Sequence, residues 1–394
     1  MRALTVSTLS RFIFQFGESS ANVLREMGFD VHIAANFKED LNVNLDNGFS
    51  NHHIDFNRNP IHPDNIRAYR QLCGLMREHS FDLVYCQTPV AAWITRLAAF
   101  RRGIKPVIYM AHGFHFYQGA PALHKFFFKG LEQMMARLSN AIITINQEDF
   151  SNAYRFRLRK GGKVYKVHGA GVEFTEEVAS VNLRQELGLT STDKIVLSLG
   201  ELNKNKNHVQ IIKALSLLPE KDSIHYVIGG KGKAAKELEA VARARGVHLH
   251  LLGFRRDALG VLREADLFAF PSYREGLSKA LMEAMSLGVP IAASKIRGNV
   301  DLIEDGVNGM LFACDDLEET AGVIQTMLTS ESLQAQFAAE NAQRIQRYKM
   351  ESVKQDMRAI YAEQIAAHQK IPVIDLLAQL EQAALSPDNS GMAG

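Results

Sequence analysis

Cysteine is scarce: Cys73, Cys86 and Cys314 form an odd, widely spaced set in a chain of 394 residues. Three such thiols build no disulfide framework, and the pattern predicts reduced cysteines in an intracellular protein. Long apolar runs are also missing. No stretch approaches the ~18 residues that a membrane-crossing helix needs. The opening Met1-Arg2-Ala3-Leu4-Thr5-Val6-Ser7 turns polar too soon for a signal peptide and lacks a small-residue cleavage site, so it reads as a first strand. Charge is almost balanced, with 45 Lys and Arg against 43 Asp and Glu. The resulting +2 gives no global field for nucleic acid. The 14 histidines are scattered, with no ligand-spaced metal cluster. Walker and dinucleotide glycine fingerprints, internal repeats and low-complexity blocks are absent.

What remains is an ordinary folded composition, 46% hydrophobic, long enough for two domains with separate cores. Short apolar runs predict strands at 3–7, 30–35, 53–56, 83–86, 106–110, 141–145, 164–167, 195–199, 224–229, 249–252, 267–270 and 290–293. Helical patterns at 19–27, 65–78, 90–100, 209–218 and 234–245 fall between them. This alternation predicts an α/β fold with two doubly wound parallel sheets, the division falling within 169–189. Such domains bind ligands at the carboxyl ends of their strands, here in a central crevice between halves. The chain beyond Asn341 reads as helical to about His368, and the segment after Pro387 has no core-forming pattern.

The most informative segment runs from Pro271 to Met285, behind the apolar run Leu267-Phe268-Ala269-Phe270. A Gly-containing turn carries Glu275 to a helix N-terminus, and Glu283 follows eight residues later, roughly 12 Å away on a helical rise. Carboxylates so far apart do not share a proton. They suit two hydroxyl-bearing ends of one elongated ligand, with helix N–H groups between them for an anion. That describes a sugar nucleotide, although strand-turn-helix segments with two acids occur in unrelated folds.

Other loops at strand ends have two readings each. Gly200-Glu201-Leu202-Asn203-Lys204-Asn205-Lys206-Asn207-His208 can hold an anion through Lys206, or be a solvated loop in which Asn or His caps the next helix. Gly229-Gly230-Lys231-Gly232 can bring backbone to a diphosphate, or be a plain turn. At Gly253-Phe254-Arg255 the backbone can meet a base, or the loop can be surface. His112, at the end of the strand 106–110, suits either a structural or a functional role. The segment 123–138 carries three consecutive Phe with Lys125, Lys129 and Arg137; it suits an anionic membrane surface or a core helix equally. No Asp-x-Asp stands at a strand end to hold a metal-diphosphate. Asp315-Asp316 reads as a helix-capping pair.

Together these residues resemble a family. Pro271-Ser272-x-x-Glu275-Gly276 with Glu283 is similar to the donor-site signature of family 4 retaining glycosyltransferases, which have the GT-B fold of two Rossmann-like domains facing a central cleft. Cys86-Gln87-Thr88-Pro89, Ala111-His112-Gly113-Phe114-His115-Phe116, Thr144-Ile145-Asn146-Gln147-Glu148-Asp149 and the 200–208 loop resemble a bacterial branch that makes exopolysaccharide, capsule and related glycans.

The resemblance implies an acceptor-side domain over 1–175, a nucleotide-sugar domain over 176–345, a helix over 346–370 crossing back to the first domain, and a tail over 371–394. It implies a retaining, metal-independent hexosyltransferase without a cofactor. The enzyme would move a hexose or N-acetylhexosamine from a nucleotide sugar, UDP-linked, to a lipid-diphosphate-linked sugar. Its place would be the cytoplasmic face of the inner membrane.

Residue roles follow from the same resemblance. His112 and Glu275 would serve the reaction centre, Glu275 meeting donor-sugar hydroxyls. Gly200, Asn203, Lys206, Gly230, Arg255, Gly276, Leu277 and Glu283 would bind the donor, with Lys206 on the diphosphate and Glu283 on the ribose. Two features depart from the pattern. Glu201 stands where many members have Arg, leaving Asn203, Lys204 or Arg274 to compensate, and the loop Ser7-Thr8-Leu9-Ser10-Arg11 through Phe16-Gly17-Glu18 is not the usual Gly-rich form. Two rivals are a GT-B sugar-nucleotide 2-epimerase and a non-catalytic donor-binding partner of another transferase.

Overall fold

The protein is described by a computed structural model covering residues 1–13, 18–38, 47–169, 171–173, 178 and 180–385. The chain divides into two compact units, Met1–Gly171 with Met350–Gly394, and Val172–Lys349. Phe16 and Gly17 of the first loop, and the segment after Pro387, lie outside the described residues.

The first unit is built on seven strands: β1 (Arg2–Leu9), β2 (Asp30–Asn36), β3 (Ser50–His53), β4 (Leu83–Gln87), β5 (Val107–Ala111), β6 (Ala141–Thr144) and β7 (Lys163–Lys166). Their order is β3-β2-β1-β4-β5-β6-β7, and every pairing is parallel. β4 and β5 are buried along their whole length, as apolar strands covered on both faces must be. One reading shifts here. Ile54 and Phe56 are buried, but they follow β3 in a turn (Phe56 N–H to Ile54 O, 2.8 Å) rather than forming the strand.

The helix Met350–Gln369 belongs to this first unit. Its Tyr361 meets Tyr85 of β4 edge-on at 5.9 Å, and Arg358 pairs with Glu26 at 2.9 Å. The stretch from 371, expected to be tail, contains a further helix, Val373–Leu385. Leu376 and Leu380, one turn apart, bury its apolar side, a short signal hidden behind Pro372.

Six strands make the second unit: β8 (Lys194–Leu199), β9 (Ile224–Gly229), β10 (His248–Gly253), β11 (Leu267–Phe270), β12 (Ile291–Ser294) and β13 (Met310–Phe312). The order is β10-β9-β8-β11-β12-β13, again all parallel. In each sheet the winding reverses once, between β1 and β4 and between β8 and β11. Ligands of doubly wound sheets bind at such a switch point, outside the carboxyl ends of the strands.

Histidines that are scattered in sequence are not all scattered in space. His32 of β2, His52 of β3 and His79, just after the helix Asp64–Glu78, bring ring nitrogens within 4.8 Å of one another. The expectation of no metal-like cluster is corrected at this point. Strand pairing assembles ligands that lie 20 or more residues apart, and local spacing does not report that.

Candidate functional site

In the second unit the loops after β8, β9, β10, β11 and β12 are fastened to each other. Gly200 N–H donates to Gly229 O at 3.0 Å, Leu202 N–H to Lys231 O at 3.0 Å, and Gly230 N–H to Gly253 O at 2.7 Å. Gly230 is required by this closeness, since a Cβ there would lie 1.8 Å from Gly200 O. Tyr273 N–H donates to Asn205 O at 2.8 Å, and Asn205 Nδ2 donates to Arg274 O at 3.0 Å. The loops at the switch point are therefore joined by backbone before any side chain contributes.

Lys206 and Glu275 meet across that join. Lys206 Nζ lies 2.7 Å from Glu275 Oε1, with both side chains largely buried, and 4.6 Å from the centre of the Phe270 ring. Asn203 holds the lysine in place by accepting the Lys206 backbone N–H at 3.1 Å. The neighbouring helix His208–Leu215 has no side-chain cap, so capping is not what this loop does for it. His208 instead turns inward, its Nδ1 2.9 Å from the Tyr226 hydroxyl.

Ser278 caps the helix Lys279–Ser286 by accepting from Leu281 N–H at 3.3 Å. Glu275 to Ser278 precede the helix in extended and bent backbone, so a helical rise applies only from Lys279 to Glu283. Glu283 is mostly buried, and burial raises its pKa above the usual carboxylate range, against the opposing pull of Lys279 at 3.5 Å. Leu277 packs on the unit's core.

Arg255 has its guanidinium engaged by Asp257 at 2.8 Å and Glu186 at 2.7 Å. Glu201 and Lys204 are exposed, and Arg274 is exposed beside them. Sequence reasoning missed Arg297 and Gly298. Arg297 Nε donates to Glu275 O at 3.2 Å, and a Cβ on Gly298 would come within 2.4 Å of Gly276 O. The available signal was a glycine just beyond β12. Asp316 is an N-cap as expected, accepting Glu319 N–H at 2.9 Å.

In the first unit His112 follows β5, and its Nε2 donates to Gln87 Oε1 of β4 at 3.0 Å. Phe12 meets the imidazole edge-on at 5.0 Å. Burial lowers the His112 pKa to about 4, so the ring is neutral near pH 7. Beside it, a cavity of about 530 Å³ is lined by Leu9, Phe12, Trp93 and Phe128, with Arg11 and Arg58 at its polar side. The helix Ala122–Ala136 forms one wall through Phe128. Its Leu123, Phe126, Phe127 and Met134 are exposed, so two of the three consecutive Phe do not pack on the sheet.

Both units match known families. Residues 180–344 match the family described as Glycosyl transferases group 1, and residues 4–146 match Glycosyl transferase 4-like. EpsD of Bacillus subtilis (strain 168) is 34% identical over 349 residues, covering 86% of this chain and 90% of the relative. The UDP-Gal:alpha-D-GlcNAc-diphosphoundecaprenol alpha-1,3-galactosyltransferase of Escherichia coli is 26% identical, over 64% of this chain and 68% of the relative. Among solved structures, Anabaena HepE in complex with UDP superposes with a TM-score of 0.74 at 19% identity, over 92% of this chain and all (100%) of that one. The structural likeness shows the fold, which is GT-B. With parallel doubly wound sheets in both units and a long relative at this identity, the chain belongs to the group 1 glycosyl transferases, in the family 4 branch found among bacterial glycan-assembly enzymes, and is a glycosyltransferase.

Proposed function

We propose that the protein is a retaining transferase that moves a hexose or N-acetylhexosamine from a UDP-sugar to a lipid-diphosphate-linked sugar. The observation that carries this reading is the Lys206–Glu275 pair at the switch point, 2.7 Å apart, with Glu283 on the helix behind it. Here the cation and carboxylate satisfy each other. An arriving donor separates them: its diphosphate takes Lys206, and its sugar hydroxyls take Glu275. Glu283 receives the ribose hydroxyls, and backbone at Gly276 and Leu277 supports sugar or phosphate. Lys206 and backbone N–H groups meet the leaving charge without a resident metal. Asn203 acts by holding Lys206, while Gly200 and Gly230 let the loops approach.

In the reaction, the bond from the sugar's anomeric carbon to the diphosphate breaks as the acceptor oxygen bonds to the same face. The departing diphosphate takes the acceptor's proton. Neutral His112, fixed by Gln87, lines the reaction centre.

The acceptor reading rests on the first unit. The cavity joins an apolar wall suited to hydrocarbon with two guanidiniums suited to phosphate oxygens. The exposed apolar face with Lys125, Lys129 and Arg137 suits peripheral binding to an anionic bilayer. A UDP donor and a polyprenyl-diphosphate acceptor are supported by the E. coli relative, a UDP-Gal:alpha-D-GlcNAc-diphosphoundecaprenol galactosyltransferase, and a UDP donor also by the UDP-bound Anabaena structure. Incubation with a panel of UDP-sugars and polyprenyl-diphosphate sugars, followed by mass spectrometry of the lipid, tests the proposal. A lengthened glycolipid with α-configuration is expected. An inverted linkage, or epimerised donor without transfer, contradicts it.

A further inference from the structure

Away from the carboxyl edge, His32, His52 and His79 form a cluster that the transfer reaction does not use. Three separate elements supply it. Ala34 of β2 pairs with His52 of β3, and His32 lies two residues before Ala34, so both imidazoles leave the same face of the sheet. His79 is delivered by the end of the helix Asp64–Glu78, where its N–H still bonds Leu75 O at 3.0 Å. Because His79 precedes β4 and Gln87 ends it, the cluster and the His112–Gln87 contact lie toward opposite ends of the sheet.

The His32 and His52 rings lie nearly coplanar, 5° apart in tilt with centroids separated by 5.0 Å, and are joined by a hydrogen bond between their facing nitrogens. His32 Nδ1 and His52 Nε2 are 2.8 Å apart, and one nitrogen from each of the three rings lies within 4.8 Å of the others. Three imidazoles holding Zn²⁺ at about 2.0–2.1 Å in a tetrahedral arrangement have nitrogens roughly 3.3 Å apart. A cation would replace the proton shared by His32 and His52, and the rings would turn so that their lone pairs converge on it. On its far side His32 Nε2 donates to Asp30 Oδ2 at 3.2 Å, which fixes the proton there and aims the Nδ1 lone pair into the cluster. Carboxylate-oriented histidines of this kind are the usual second layer of a zinc site. Phe81 closes one side, its ring edge-on to His32 at 5.2 Å. His32 is buried, while His52 and His79 are half-buried and leave a path from solvent.

We propose that His32, His52 and His79 bind one first-row divalent cation, with Zn²⁺ the best match to three imidazoles, a fourth position being open to water. Arg2, 3.4 Å from Asp30, and Glu78 beside His52 set the remaining charge around it.

The test uses the full chain, stripped with chelator and dialysed against Zn²⁺ or Co²⁺. One ion per chain is expected, and the Co²⁺ form should show the visible absorption of a four-coordinate ion. His52→Ala with His79→Ala should lose the ion while circular dichroism stays unchanged, and Asp30→Asn should weaken it by about 10- to 100-fold. A second histidine group, His225 and His250 at 3.0 Å, serves as the control through His250→Ala. Absence of stoichiometric Zn²⁺ in the wild type overturns the proposal. So does ion binding that survives the double substitution, or that is lost with His250→Ala instead. The Co²⁺ spectrum of the wild type keeps the test valid if a variant fails to fold.

Discussion

Lys206 Nζ sits 2.7 Å from Glu275 Oε1, joining the loop after β8 to the loop after β11 across the reversal of the sheet. Two groups proposed to meet different parts of one donor hold each other. Lys206→Ala leaves Glu275 without this partner and removes the diphosphate cation. It should lower kcat/KM by about 10²- to 10³-fold, while Glu275→Ala abolishes transfer. Both variants should keep the wild-type circular dichroism spectrum. Normal turnover by either contradicts the assignment.

Glu283 predicts an opposition between stability and function. Its pKa is raised mainly by burial, so the native state keeps a proton at pH values where the unfolded chain has lost it. Stability therefore falls as pH rises through that interval. Glu283→Gln removes the buried charge, and the Lys279 contact it gives up is exposed and worth little. The variant should melt about 1–4 °C higher than wild type at pH 7, with the difference shrinking toward pH 4. Its KM for the UDP-sugar should rise. A lower melting temperature at pH 7 sinks this account of the residue.

His112 gives the opposite sign. Its native pKa is lowered to about 4, while the unfolded histidine titrates near 6.5. The unfolded chain binds the extra proton between those values, so this contribution is full above pH 6.5 and is lost as pH falls toward 4. Comparing urea unfolding of wild type and His112→Gln should show a pH-dependent difference confined to that window, at most about 3 kcal/mol. Because the imidazole stays neutral, kcat/KM should show no acidic limb from His112 above pH ~5. A difference constant across pH 4–7 refutes the buried neutral state.

The helix Ala122–Ala136 and its flank should dock on membranes through charge and exposed apolar groups together. Replacing Lys125, Lys129 and Arg137 by Gln should weaken binding to anionic vesicles by roughly 100-fold, at about 1 kcal/mol per charge. Phe126→Ser with Phe127→Ser should reduce binding to neutral vesicles as well. Sedimentation with vesicles measures both, and unchanged partitioning rules out this face.

Much of the fold was legible because parallel strands buried on both faces leave continuous apolar runs. Leu267-Phe268-Ala269-Phe270 is strand β11 as read. The third strand was placed too late because its own residues, Ser50–His53, are polar, while the buried Ile54 and Phe56 lie just beyond it. Met310–Phe312 is three residues long and leaves no periodic signal. The candidate site was legible where one segment holds its residues, as with Glu275 and Glu283. It was not where distant loops meet: Gly298 against Gly276, or Gln87 against His112, depends on packing that local spacing cannot express. The three histidines are the extreme case, since strand pairing brings His32 to His52 and the end of a helix adds His79.

Calorimetric titration of UDP tests the central claim most directly, because it needs neither the sugar nor the acceptor. Wild type should bind UDP at one site in the Val172–Lys349 unit, Lys206→Ala should weaken it through the diphosphate, and Glu283→Gln should weaken it through the ribose. If UDP binds all three proteins equally, or does not bind the wild type, the Lys206–Glu275–Glu283 arrangement is not a UDP-sugar site.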